Sequence, residues 1–213
     1  MIQLAVGLAL FFAAHSAAML APGVRAAAIA RIGEGPWKGL YAVVSLIGLV
    51  LVGRGWSAAE PALLYTPVPG AAHLLLVAMP VLLVLAVAGN LPAGRIRRFA
   101  RHPMLVATAV WAGLHLLANG DAAAVLLFGA FLVWAVADIA SLLARERVGG
   151  GAGPHGASPR DDGSAPAERS APAEAAASPA LWPDIAAVGV GLALYAWLVM
   201  GGHVSLFGVS PLG

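Results

Sequence analysis

Residues 71–90 read AAHLLLVAMPVLLVLAVAGN, twenty positions without a single Asp, Glu, Lys or Arg. An α-helix needs about 20 mostly apolar residues to cross the ~30 Å hydrocarbon core of a bilayer. A helix on a soluble domain would carry a charged face, and this one has none. The turn-forming run Thr66-Pro67-Val68-Pro69-Gly70 supplies its start and Asn90 its end. The segment therefore predicts a membrane helix from Ala71 to Asn90.

The whole composition agrees. Of 213 residues, 61% are hydrophobic and 10% charged, and the mean hydropathy is +0.88. A soluble domain is nearer 45–50% apolar and about 25% charged. Too few charges remain to cover a water-facing surface. This excludes a soluble globular protein, a nucleic-acid binder or a disordered tail as a description of the whole chain. There is no Cys, so disulfides, thiolate metal sites and a cysteine nucleophile are excluded together. The pI is near 9.5, yet the formal net charge is only +2, so the placement of charge matters more than its sum.

Charge-free stretches cover 1–24, 39–53, 61–94, 102–120, 122–137 and 185–213. They predict six transmembrane helices in an all-α polytopic bundle. The first runs from Ile2 to Ala21 and is stopped by Pro22-Gly23. The second is bracketed by Trp37 and Trp56 as interfacial aromatics, with Lys38 and Arg54 snorkelling from its ends. The fourth opens at Pro103 and ends near Asn119-Gly120, the fifth runs from Asp121 to Ala144, and the sixth from Pro183 to Gly202. Eleven of the twelve Lys and Arg residues fall in loops one, three and five, with Arg54 alone on the other side. The positive-inside rule makes those loops cytoplasmic and both termini periplasmic. Met1-Ile2-Gln3 lacks the positive start of a cleaved signal, so the first helix is expected to be retained. Residues 148–180 mix Gly, Pro, Ala, Ser and charges without an apolar period. The expected organisation is a five-helix core over 1–147, a disordered cytoplasmic linker over 148–180, and a sixth helix with tail over 181–213.

Polar groups at membrane depth are costly and so point to function. His15 lies in the first helix, His115 in the fourth and Asp138 in the fifth. Thr108, Trp111, His115 and Asn119 are spaced by 3 or 4 and share one face of the fourth helix. An intramembrane His often does no more than bond a neighbouring helix, worth about 0.6 kcal/mol on average. Against that stands the neutral imidazole's suitability as an axial ligand of haem iron, held between facing helices. His73 and His203 sit at the outer interface and His155 in the linker, where solvation explains them. Arg101 and His102 sit at the cytoplasmic interface, where binding a lipid or cofactor phosphate competes with plain anchoring. Asp138 is open to a proton-accepting or a structural role.

Arg101-His102-Pro103 followed by Trp111, His115 and Asn119-Gly120-Asp121 resembles the signature of the NnrU family. Leu10-Phe11-Phe12 with His15-Ser16, the stretch from Gly33-Glu34 to Lys38-Gly39-Leu40-Tyr41, and His203 with Phe207-Gly208-Val209-Ser210-Pro211 extend the resemblance along nearly the whole chain apart from the linker. These are bacterial inner-membrane proteins named for an association with nitrite and nitric oxide reductase functions. The family is similar to the plant 15-cis-zeta-carotene isomerase, a membrane protein whose haem b is held by two histidines. There a redox change at the iron frees a coordination site for double-bond isomerisation. The resemblance implies His15 and His115 as axial ligands, with Trp111, Asn119, Arg101 and His102 completing the cofactor-binding set. By helix rise the two histidines differ in depth by about 8 Å, which leaves His73 or His203 open as the partner of His115.

Three functions follow as expectations. One is a haem b protein acting as an isomerase or redox enzyme on a lipophilic substrate. Another is a non-enzymatic accessory factor for respiratory or denitrification proteins. A third is a membrane methyltransferase, because Arg101-His102-Pro103 opening a helix resembles the S-adenosylmethionine motif of isoprenylcysteine and phospholipid methyltransferases. That motif's acidic pair is here replaced by Arg145-Glu146-Arg147.

Overall fold

The structure is a computed structural model, and it describes residues 1–150 and 180–212. It is all-helical. The elements are α1 (Ile2–Leu20), α2 (Pro22–Ile32), α3 (Glu34–Ser57), α4 (Ala71–Asn90), α5 (Arg95–Ala100), α6 (Pro103–Ala118), α7 (Ala122–Gly150), α8 (Trp182–Trp197) and α9 (His203–Phe207). A kink within Leu198–Gly202, where Gly201 takes φ +132°, joins α8 to α9. The expected linker over 148–180 lies almost entirely outside the described residues.

Among the described residues, four helical segments are long and apolar enough to cross a membrane: Glu34–Ser57, Ala71–Asn90, Ala122–Arg147 and Trp182–Phe207. Ile2–Ala17 and Pro103–Ala118 are apolar but shorter. Between 17% and 22% of the residues in the four long windows are buried inside the protein, so their apolar surface faces outward and requires lipid. Val77, Val133, Ile185 and Met200 lie on that outer face.

Several boundaries differ from the sequence expectation, each for a local reason. Pro22 does not end the first helical run but bends it. Ala21 leaves helical geometry at φ −139°, and Pro22 then occupies the first turn of α2, where its missing N–H costs nothing. The loop expected to carry Arg25 and Arg31 is therefore helical. The short charge-free stretch 39–53 belongs to the longer α3, whose start is charged and carries the Glu34–Lys38 pair at 2.9 Å. Pro80 sits inside α4 without ending it.

The principal packings run α3–α1–α7–α6–α4–α8. Small residues make these crossings close, as expected where lipid replaces water as solvent. Eight of the fourteen buried hydrophobic residues among those described are alanines. At the α1–α3 crossing the two backbones touch. A Cβ on Gly7 would stand 2.6 Å from the Val52 nitrogen, and one on Gly48 would stand 2.8 Å from the Phe11 nitrogen. On the far side, the α3–α4 connection docks on the α6–α7 turn. Leu64 and Tyr65 donate to the Gly120 carbonyl, Ala122 donates to Ala62 O, and the Tyr65 hydroxyl reaches the Leu116 and Asn119 carbonyls.

Candidate functional site

The centre of the protein is an aromatic ladder on α7. Phe128, Phe131 and Trp134 recur every three residues, and α1 and α6 pack on them from opposite sides. His115 of α6 is 91% buried, being 9% exposed. It stacks on Phe128 at 4.3 Å, with Trp111 4.8 Å away. His15 of α1 is half-buried, stacks on Phe11 at 3.9 Å and meets Tyr41 of α3 at 5.1 Å and Trp134 at 5.8 Å.

Both rings are held in one orientation by their own helix. His15 Nδ1 lies 2.8 Å from the Phe11 carbonyl, and His115 Nδ1 lies 2.9 Å from the Trp111 carbonyl. A carbonyl can only accept, so Nδ1 carries the proton and Nε2 keeps its lone pair. That is how a metal-ligating histidine is usually prepared. His203 repeats the device, with Nδ1 donating to Val209 O at 2.7 Å and tying the C-terminal tail back on α9.

The donor chemistry thus fits an axial ligand of haem at each of these histidines. The spacing of the expected pair is another matter. His115 stacks on Phe128 and His15 contacts Trp134, six residues further along α7, a separation of about 9 Å along its axis. Phe131 fills the level between them, touching Phe11, Phe12 and Trp111. The two histidines thus contact the ladder at different levels. His203 begins α9, at the C-terminal end of the chain. His73 is exposed at the start of α4. No three His, Cys, Asp or Glu residues gather as a metal cluster among the described residues.

The other expected site residues take structural or peripheral positions. Trp111 walls the His115 pocket and contacts Phe128 and Phe131. Asn119 closes the end of α6, its Nδ2 donating to the His115 carbonyl at 2.9 Å. Asp121 caps α7 by accepting the Ala124 N–H at 2.9 Å. Thr108 bonds back to Met104 O. Asp138 is half-buried and lies one turn beyond Trp134.

Arg101 and His102 form a separate centre at the α5–α6 junction. Arg101 Nη1 lies 3.4 Å from Glu146 Oε2, and His102 Nε2 lies 3.3 Å from Glu146 Oε1. The His102 contact lacks the alignment of a hydrogen bond, and its Nε2 is otherwise a buried polar atom without a partner. Nearby, Asp184 at the start of α8 accepts the N–H groups of Arg95 and Ile96 at 2.8 and 3.1 Å, capping α5. Gly94 leaves the room, since a Cβ there would strike the Asp184 carboxylate.

Sequence reasoning missed the α7 ladder, Glu146 and Asp184. The ladder was visible as three aromatics at helical spacing. The two carboxylates carried no such signal, because their partners lie 45 and 89 residues away.

An apolar-surfaced helical bundle with four helices long enough to span a bilayer fits a membrane protein. The family profile described as NnrU protein matches residues 3–211, and the chain belongs to that family. No curated protein and no solved structure matches it.

Proposed function

We propose that this is a six-span inner-membrane protein that binds haem b through His115 and acts as an isomerase or redox enzyme on a lipophilic substrate. The observation that carries the reading is His115 itself. It is the most buried ionisable side chain described, its Nδ1 is fixed on Trp111 O, and its ring stacks on Phe128 beside Trp111. Haem, when bound, would supply redox chemistry at iron. The protein's own part is to hold the ligand nitrogen neutral and oriented and to keep water away with Trp111 and Phe128. His15 and His203 are the candidates for the second ligand, each with its Nδ1 held on a backbone carbonyl.

Six crossings are supported by the four long helices together with α1 and α6, whose 19 and 16 residues extend about 28 and 24 Å. The distribution of Lys and Arg supports periplasmic termini.

The test is the absorption spectrum of the protein purified after expression with haem supplied. A Soret band that is lost in His115→Ala is expected. Whichever of His15→Ala and His203→Ala converts a six-coordinate to a five-coordinate spectrum identifies the second ligand. Absence of a Soret band, or one unchanged in His115→Ala, overturns the proposal.

A further inference from the structure

The chain has a second polar centre that the histidine reading leaves unused. At the corner where α4, α5 and α6 meet, a cavity of about 140 Å³ is lined by the polar Arg97, Arg101 and His102 together with the apolar Met104 and Leu105. Its polar lining is held in place by specific contacts. Arg97 is anchored by Nη1 on the Leu91 carbonyl at 2.6 Å, which fixes its stem at the cavity. Arg101 adopts φ +53°, a conformation costly for a residue with a Cβ, and it is the one non-glycine residue described with positive φ. His102 brings a buried Nε2 whose nearest polar neighbour is the misaligned Glu146 carboxylate. Beside it, α5 carries Arg95, Arg97 and Arg98 together with Phe99, which is 94% exposed. A phenyl ring so exposed next to three guanidinium groups suits the headgroup boundary of a bilayer, with the ring in the acyl region and the cations at phosphate level.

We propose that this cavity binds the phosphate of an anionic phospholipid, with Arg97 and Arg101 as the phosphate contacts and the Met104 side of the cavity receiving the first part of an acyl chain. The inference rests on the membrane-spanning reading and is independent of whether haem is bound. The size of the cavity favours a phosphodiester headgroup over anything as large as a nucleotide. Three features select lipid over a free ion: the apolar Met104 and Leu105 in the lining, the exposed Phe99, and the cluster of arginines on α5 and at its end, where anionic lipids concentrate basic segments. Glu146 is the internal competitor. It holds Arg101 and His102 when no lipid is present, and an entering phosphate would displace it from them.

The experiment is a titration of the full-length purified protein in zwitterionic detergent with short-chain phosphatidylglycerol, short-chain phosphatidylcholine and inorganic phosphate. Retained ligand is read by native mass spectrometry and the melting midpoint is followed in parallel. Saturable binding of phosphatidylglycerol is expected, about fivefold weaker in Arg97→Gln and again in Arg101→Gln, and unchanged in Arg54→Gln on the opposite side. Glu146→Gln keeps both arginines and should tighten binding. This opposite sign separates loss of a contact from loss of the fold. Phosphatidylcholine retained equally well, or binding indifferent to both arginine variants and to Glu146→Gln, overturns the site. Inorganic phosphate bound as tightly as phosphatidylglycerol overturns the lipid as its occupant.

Discussion

At the scale of single residues, the design principle is that polar atoms are satisfied within their own helix wherever possible. His15, His115, Thr108 and Asn119 each bond the carbonyl four residues back. In lipid there is no water to take over an unpaired group, so the nearest backbone oxygen is used. The same scale governs the closest contact of the bundle. A methyl group at Gly48 would meet the Phe11 nitrogen and the Gly7 carbonyl, and neither can move without moving α1. Gly48→Ala is therefore expected to cost about 1–3 kcal/mol, as overpacking of a tight interface does. Gly53→Ala on the same helix has open space and should be neutral. Thermal unfolding of the two variants in detergent checks the contrast; equal losses would mean that the α1–α3 contact is looser than described.

At the scale of elements, α5 is six residues long and far too short to be stable by itself. It persists because Asp184 of α8 caps its first turn and because Arg97 returns to the end of α4. Asp184→Ala should destabilise this corner by about 1–2 kcal/mol, the usual worth of a helix cap. Hydrogen exchange at Arg95 and Ile96 should rise while the α1–α3 amides stay protected. Uniform loss of protection would argue instead for a global role of Asp184. This element also marks the limit of what the sequence discloses. The long helices were legible because freedom from charge over some twenty residues has one explanation. The helicity of 22–32 was hidden because Pro22 signals an end and a beginning alike. The His15 and His115 candidates were legible because any imidazole stands out at such depth, and even their offset could be counted along the helix rise. The intervening Phe131 could not be foreseen, since nothing in one helix says which aromatic of another will occupy the space between them.

At the scale of the whole molecule, the described charged residues lie mostly at or near helix ends, and this gives a topology that can be measured directly. The protein has no cysteine, so a single introduced thiol reports one position. Glu60→Cys, in the connection between α3 and α4, should react with a membrane-impermeant maleimide in spheroplasts with an intact inner membrane. Arg98→Cys on α5 should react only after permeabilisation. The reverse pattern would invert the orientation.

The packing order also has a consequence for biogenesis. α1 packs chiefly against α3, and α4 against α6; α7 is the element that packs against both α1 and α6. The chain up to Gly120 thus supplies two helical pairs, linked by the Tyr65 connection but without their shared seam. Phe128, Phe131 and Trp134 supply that seam. The walls of the histidine centre therefore come from an element made after the helices that carry His15 and His115.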